Sequence, residues 1–221
     1  ISADYFKSRA LKDIAIALAQ QKNQEESALV LKEALTCALG ISNDWNRIRP
    51  LTEIAIELAK KGQFEEALAW VRGITYEKQK SIALKDIAVE LAAQGHKEAS
   101  TSVLQEALAC ARGISTESKN SSALKEIIVE LTKQGREDEA IACALSISTD
   151  LWKSIALVAI AGELSKQGKQ EASTSLLQDA QAYALTIGDA NDKSIANKNI
   201  AIELAMQGSW ALAEATGLAV Q

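Results

Sequence analysis

The sequence predicts an all-α fold, an α-solenoid of about six helix-turn-helix hairpins. The first observation is an isoleucine inside an apolar run that recurs at steps of 40, 33, 40, 33 and 40 residues, at Ile14, Ile54, Ile87, Ile127, Ile160 and Ile200. The second is the residue eight positions later, which is Lys22 in the first copy and glycine in the others, at Gly62, Gly95, Gly135, Gly168 and Gly208. Self-similarity at this period is typical of arrays whose units bury their apolar faces against their neighbours.

Each copy is predicted to contain two helices joined at this glycine. In the third copy, an apolar set is spaced i, i+3, i+4 and i+7, which is the spacing of one helix face: Leu84, Ile87, Ala88 and Leu91. Gly95 then supplies a residue suited to the left-handed conformation that commonly ends a helix. We call the helix before the glycine the A helix and the helix after it the B helix. Pro50 is predicted to lie in the first turn of the second A helix, where its missing N–H costs little.

The two step lengths arise from a difference in the length of the B helix. The 40-residue copies, here called long, carry seven more residues ahead of the shared ending than the 33-residue, short copies. Seven residues make two helical turns to within about 20°, so the buried stripe stays aligned. We therefore expect every second B helix to be longer than its neighbours by about 10 Å. Three double repeats follow from this alternation, 1–73, 74–146 and 147–221.

Composition and charge exclude several classes of function. The chain is 48% hydrophobic and 24% charged, and its net charge of −5 argues against a nucleic-acid partner, which usually selects a basic surface. No stretch approaches the roughly 20 apolar residues that span a bilayer, so no membrane partner is expected. The chain begins at Ile1 without a methionine. We expect it to be a segment of a longer protein, from which a targeting signal could be missing.

The three cysteines share one position in the repeat. Cys37, Cys110 and Cys143 each lie four residues before the isoleucine that closes their copy, and Trp70 and Tyr183 occupy the same position elsewhere. A position that accepts Cys, Trp or Tyr is predicted to lie in the core, where cysteine behaves as a small hydrophobic residue. A disulfide or metal pair is the alternative. The odd count and wide spacing favour reduced thiols, and hence an intracellular, cytoplasmic protein.

The short copies resemble the tetratricopeptide repeat (TPR). In residues 51–67 a small residue, Ala55, precedes the glycine by seven, and Ala67 follows it by five with Phe64 between them. These match the family's small residue in helix A, its turn, and its alanine at the closest point of helix B. The chain departs from the family at Leu51 and Leu58, which stand where Trp and Tyr are usual, and in its 40-residue copies. The resemblance implies a right-handed α-solenoid that binds a peptide or protein in a concave groove lined by A helices.

The resemblance also implies which residues line that groove. They are the residues six and ten positions before each turn. One row would contain Ile16, Ile56, Val89, Val129, Gly162 and Ile202, and the other Lys12, Thr52, Lys85, Lys125, Val158 and Lys198. An aliphatic floor with spaced lysines suits an acidic peptide or one with a C-terminal carboxylate. Alternatively, neighbouring carboxylates such as Asp13, Asp86 and Glu126 neutralise the lysines on a solvated helix face.

No pattern in the sequence indicates catalysis, a metal or a cofactor. His96, the only histidine, follows a turn glycine and is predicted to be an exposed turn residue. The clustered Cys and His ligands of zinc sites and the glycine-rich motifs of phosphate sites are absent. Paired carboxylates such as Glu65 and Glu66 begin B helices, where they favour the positive end of the helix dipole. We therefore expect a protein that is not an enzyme.

Four tryptophans have separate interpretations. Trp70 occupies the predicted core position, and Trp210 replaces Phe64 at the start of a short B helix. Trp45 and Trp152 are predicted to lie in loops before A helices. There they either wedge adjacent hairpins together or serve as binding hot spots.

The leading functional hypothesis is a protein–protein interaction scaffold that binds a partner in the A-helix groove. A rival hypothesis is an architectural spacer or self-assembly element, because the segment Trp210–Val220 is nearly apolar and arrays normally carry a polar end cap. End-to-end self-association through that segment would follow. A third is a sensor or autoinhibitory arm of a larger protein.

Overall fold

The computed structural model describes residues 2–208 and is all-helical there, with eleven α-helices and no strand within that range. The prediction of an all-α array of hairpins is therefore confirmed. The Trp210–Val220 segment, on which the end-to-end hypothesis depends, lies outside the described residues. The helices are α1 (Ala3–Gln20), α2 (Gln24–Leu39), α3 (Asp44–Lys60), α4 (Phe64–Arg72), α5 (Glu77–Ala93), α6 (Lys97–Arg112), α7 (Glu117–Lys133), α8 (Glu137–Leu145), α9 (Asp150–Lys166), α10 (Gln170–Thr186) and α11 (Ala190–Met206).

The chain divides into two compact units, Ile1–Ile114 and Ser115–Gln221. In the first unit, α1 packs on α3 and α3 on α5, so the A helices form one continuous layer. The B helices α2 and α4 each pack on their own A helix and on the next one. The second unit repeats this arrangement, with α7 on α9 and α9 on α11 in the A layer. The double repeats 1–73, 74–146 and 147–221 stay a prediction.

Each hairpin turns at the residue that the sequence singles out. The five turn glycines have φ between 71° and 86°, and Lys22 adopts the same left-handed conformation with φ 64°. The following residue closes the turn by donating its N–H to the carbonyl four residues before the turn residue. These bonds join Asn23 to Leu18 (3.0 Å), and, at 2.9 Å each, Gln63 to Leu58, His96 to Leu91, Arg136 to Leu131 and Lys169 to Leu164. This 6→1 bond is the Schellman motif, and it satisfies a carbonyl that the helix end would leave unpaired.

Two positions fixed relative to the turn are occupied by residues that pack where the A and B helices meet. The residue seven before the turn is a buried alanine in α1, α3, α5 and α9 and a buried isoleucine, Ile128, in α7. The residue five after it is a buried alanine in the short hairpins and a buried serine in the long ones. The serine hydroxyls donate to the facing A-helix carbonyls, Ser27 to Ala15 (2.6 Å), Ser100 to Ala88 (2.6 Å) and Ser173 to Ala161 (2.8 Å).

Within each unit, side chains just before the turns tie a hairpin to the preceding one. Gln94 donates to the carbonyl of Ala59 and Gln167 to that of Thr132, each at 3.0 Å. Lys61 donates to the hydroxyl of Ser27 at 2.7 Å, and Gln207 to that of Ser173 at 2.9 Å. Ser27 and Ser173 therefore donate within their own hairpin and accept from the next one, which aligns the turns of those hairpins.

The predicted alternation of B-helix lengths is confirmed. The short helices α4 and α8 have 9 residues each, whereas α2 and α6 have 16 and α10 has 17. None of the described helices is both long enough and apolar enough to span a membrane.

The A helices start earlier than predicted. The side chain of Asn43 accepts the N–H of Asn46 at 2.9 Å and caps α3, so Pro50 lies inside the helix rather than in its first turn. Its ring removes one backbone hydrogen bond there. The loop assignment of Trp45 and Trp152 is also wrong, because they lie in the first turns of α3 and α9.

The cysteine position is at the edge of the core rather than inside it. Cys143 is buried, but Cys37 and Cys110 are half-buried, as are Trp70 and Tyr183. In the third copy, Cys110 lies near the start of its own A helix. Burial and the nearby Glu77 there raise the pKa of the Cys110 thiol to about 11. No disulfide joins cysteines in the described part of the chain.

Replacing Gly95 by valine tests the turn assignment. A β-branched residue at φ 86° is strained, and a left-handed L-residue costs about 1–2 kcal/mol. We expect Gly95→Val to lower the free energy of unfolding by at least that amount, measured by urea denaturation followed by circular dichroism.

The opposite change at the first turn is the matched control. Lys22→Gly removes a non-glycine residue from the left-handed conformation and should stabilise the chain by up to about 1 kcal/mol. Unfolding midpoints that move the same way in both variants would contradict the assignment.

Candidate partner-binding face

Six predicted groove residues lie on three neighbouring A helices of the first unit. Each is half-buried, so each keeps one side open to solvent. Because α1 packs on α3 and α3 on α5, the three helices form one surface, here called the A face of the first unit. Its residues are Lys12 and Ile16 on α1, Thr52 and Ile56 on α3, and Lys85 and Val89 on α5.

Two lysines of this face are paired with carboxylates. Lys12 Nζ lies 2.7 Å from a Glu53 oxygen and 3.2 Å from Asp13, and Lys85 Nζ lies 2.8 Å from Asp86. These pairs support the alternative in which adjacent carboxylates neutralise the lysines. A ligand for this face therefore meets paired charges rather than bare ammonium groups.

Glu53 is the centre of a mixed-charge cluster. Besides Lys12, its carboxylate accepts from Arg49 Nε at 2.8 Å, and Arg9 Nε lies 3.9 Å away. Burial raises the pKa of Glu53, but hydrogen bonds from Lys12 and Arg49 outweigh it and hold the pKa below its usual value. Burial lowers the pKa of Lys12, and its bonds to Glu53 and Asp13 outweigh that and raise the pKa. The cluster contains three cations and two carboxylates, so it is electropositive.

A cleft of about 320 Å³ opens next to this cluster, between the N-terminal halves of α3 and α5. Trp45, Ile48, Arg49, Thr52 and Glu53 line it from α3, and Gln79 and Ile82 from α5. Trp45 remains 57% exposed, although its ring packs edge-on against Tyr76 with centroids 5.2 Å apart. The walls are therefore aromatic and aliphatic, with the charged cluster along one side.

Thr52 is the only predicted groove residue that lines the cleft. Its hydroxyl oxygen is buried and has no hydrogen-bond partner among the described residues. Sequence reasoning missed the cleft, although Trp45, Ile48 and Thr52 are spaced i, i+3 and i+7 and so share a helix face.

The second unit offers less open surface at the predicted positions. Lys125 and Val129 are half-buried on α7, whereas Val158 is buried on α9. At the other predicted position on α9, Gly162 has no side chain. A Cβ atom there would meet a carboxylate oxygen of Glu203 at 2.8 Å. Lys198 and Ile202 are exposed on α11. The middle helix of this unit therefore lacks the open row that α3 supplies in the first.

His96 is exposed, as predicted, and packs its ring edge-on against Phe64 with centroids 5.3 Å apart. Within residues 2–208, no group of three or more His, Cys, Asp or Glu side chains is arranged to hold a metal ion.

Comparisons with known proteins give structural likeness only. No protein-family model matches the chain, and no curated protein matches it. One similar solved structure is of nearly identical TPR-like repeats of a Podospora anserina protein described as a kinesin light chain. It is 13% identical with a TM-score of 0.45, and the match covers 83% of this chain and 96% of the other. Another is Ton1535 from Thermococcus onnurineus NA1, 14% identical with a TM-score of 0.39, over 98% and 87% of the two chains.

The TPR-like character of the fold is confirmed by the described helices themselves. They form consecutive A and B pairs that turn at a left-handed residue and bury an alanine or serine five residues after it. Within each unit, the pairs pack in chain order through their A helices.

Glu53→Gln tests the charge cluster through its pH dependence. A carboxylate whose pKa is lowered by folding stabilises the protein above its unfolded pKa, near 4.5, and loses that contribution as the pH falls through the folded value. We expect the variant to be less stable than the wild type by about 1 kcal/mol at pH 7. The difference should shrink below pH 4.5, measured by urea denaturation across pH.

Glu33→Gln is the control, because its ion pair with Lys7 is more than half exposed and should contribute little. A stability difference for Glu53→Gln that stays constant from pH 7 to pH 3 would contradict the assignment.

Proposed function

We propose that the chain is a protein-interaction scaffold that binds a peptide segment of a partner protein on the A face of the first unit. The observation that carries the proposal is the cleft between α3 and α5 with the exposed Trp45 in its wall. Exposed aromatic side chains beside a concave apolar surface are typical of binding hot spots. A spacer would need no such cleft, so this feature favours binding over the architectural hypothesis.

The chemistry of the cleft indicates what the partner segment contains. Ile48, Ile82 and Trp45 suit a large apolar side chain, which would be removed from water on binding. The surplus of cations among Arg9, Lys12 and Arg49 favours an acidic residue next to that side chain. The proposed groove lysines Lys12 and Lys85 would then contact the partner while paired with Glu53 and Asp86. The aliphatic row would form the apolar base of the groove.

Binding suits this site better than catalysis does. The ionisable groups that line the cleft are Arg49 and Glu53, and they are hydrogen-bonded to each other at 2.8 Å. A general base must instead be available to accept a proton from a substrate. No cofactor is part of the proposal. Cys37 and Cys110 are free thiols and form no disulfide. We take this to support a reducing, cytoplasmic setting, which is likewise a proposal.

Peptide selection tests this function. A library of random peptides is displayed on phage and selected on the immobilised full chain. We expect the selected sequences to be enriched in a large apolar residue with Asp or Glu nearby. A synthetic copy of a selected peptide should bind the Trp45→Ala variant at least tenfold more weakly than the wild type. Truncating a hot-spot aromatic residue costs about 2 kcal/mol or more.

Leu29→Ala is the matched control, because Leu29 is a large apolar residue that is 68% exposed on α2, outside the A face. Selected peptides that bind Trp45→Ala as tightly as the wild type, or lose affinity for Leu29→Ala instead, would overturn the proposal.

A further inference from the structure

The short B helix of the second hairpin leaves part of its own A helix uncovered. Every described B helix begins two residues after its turn residue, so α4 ends seven residues earlier in its copy than α2 and α6 do in theirs. At 1.5 Å per residue, the 9 residues of α4 extend about 14 Å, whereas the 17 residues of α3 extend about 26 Å. Because α4 runs back from the turn, it covers the C-terminal half of α3 and does not reach the first turns of that helix.

A pocket of about 290 Å³ lies at this point, and we call it the Trp70 pocket. One wall comes from the end of α2, another from the N-terminal half of α3, and a third from the end of α4 with the loop that follows it. The apolar part of the lining consists of Leu39 from α2, Ile48 and Leu51 from α3, Trp70 from α4 and Ile74 from the loop. All of these residues belong to the first unit.

Two wall residues of the pocket differ from their counterparts in the other copies. Trp70 stands at the position that holds cysteine in three copies. Ile48 stands fourteen residues before its turn, where the other A helices all carry serine: Ser8, Ser81, Ser121, Ser154 and Ser194. In the other short hairpin of the described chain, α7–α8, the two positions hold Ser121 and Cys143. The second hairpin thus combines the space beside a short B helix with an aromatic and an aliphatic wall.

The Trp70 pocket is separate from the peptide cleft of the A face. Of their lining residues, Ile48 is the one that the two share, and it is 8% exposed. The cleft opens between α3 and α5, whereas the pocket opens between α3 and the ends of α2 and α4. A ligand of the pocket would therefore contact different neighbours of α3 than the peptide does.

The lining indicates the size and polarity of a ligand. An apolar cavity of about 150 Å³ holds one benzene molecule, so the Trp70 pocket has room for two fused rings. The indole of Trp70 offers a ring against which another aromatic ring can pack. The polar part of the lining includes Asp44 and Arg47, which form an ion pair. Since the Asp44 side chain is still 62% exposed, its carboxylate can accept one more hydrogen bond.

We infer that the Trp70 pocket binds a small, neutral, two-ring aromatic molecule that carries one N–H or O–H group. The rings lie among Trp70, Leu39 and Leu51, and the N–H or O–H donates to Asp44. The ion pair of Asp44 with Arg47 has no net charge, so it gives no preference for an ionised ligand. This site is independent of the proposed peptide function, and the inference stands even if the cleft binds no peptide.

Fluorine nuclear magnetic resonance with 5-fluoroindole, a neutral two-ring molecule with one N–H, tests the inference on the full chain. We expect saturable binding of one probe molecule per chain. Trp70→Cys should weaken binding about tenfold, because the aromatic wall is lost. The fold should tolerate this change, since three other copies carry cysteine at the same position.

Leu39→Arg is a second pocket variant, and it should also weaken binding because it replaces an apolar wall by a charge. Leu39 is 39% exposed, and Arg72 and Arg112 occupy the same position in other copies, so the change should leave the fold intact. Circular dichroism of both pocket variants should match that of the wild type.

Leu145→Arg is the matched control, because Leu145 is 44% exposed at the same position of α8. Trp45→Ala is a second control that separates the pocket from the peptide cleft. Both should bind the probe like the wild type. A wild type that shows no saturable binding up to the solubility limit of the probe overturns the inference. So does binding that Trp70→Cys and Leu39→Arg leave unchanged, or binding lost in Trp45→Ala alone, which would place the probe in the cleft.

Discussion

The close crossing of each A helix with its B helix is the constraint on which the rest of the structure depends. A left-handed residue reverses the chain, and the helices then meet at a residue seven positions before it, alanine except at Ile128, and at a small residue five positions after it. Alanine at these points lets the backbones approach. In the long hairpins serine takes the second position, and its hydroxyl bonds to the opposite backbone at 2.6–2.8 Å. A larger side chain at the second position would separate the helices.

The stacking of hairpins follows from this crossing. With the turns aligned by bonds such as Gln94 to the Ala59 carbonyl, the A helices of each unit pack side by side in chain order. In the first unit, the predicted groove residues of α1, α3 and α5 stay half-buried and form the A face. The cleft beside Trp45 lies between the N-terminal halves of α3 and α5, away from the turns.

Features set by local sequence could be predicted, and features set by neighbours could not. The turns, the hairpin order and the seven-residue difference between α4 and α6 follow from glycine chemistry and helical periodicity. The start of α3 was misplaced because the Asn43 cap is a weak signal beside Pro50. The cysteine position proved to be a core edge, half-buried at Cys37 and Cys110 and buried at Cys143, so its burial is not fixed by its register in the repeat.

The candidate site shows the same division. The register placed Thr52 and Ile56 on an open strip of α3, but it gave no sign that Glu53 would gather Lys12, Arg49 and Arg9. That cluster joins residues 41 positions apart, across two hairpins. The cleft also requires Ile82 of the next hairpin, so only the packed structure reveals it.

The central claim is that the A face of the first unit is the surface that binds a partner. It is tested most directly by nuclear magnetic resonance on the full chain, with labelled isoleucine methyl groups and tryptophan indoles, titrated with a selected peptide. Binding at the cleft should give the largest shifts at Ile48, Ile82 and the Trp45 indole. Shifts confined to residues outside the A face, such as Trp70 or Ile141, would contradict it.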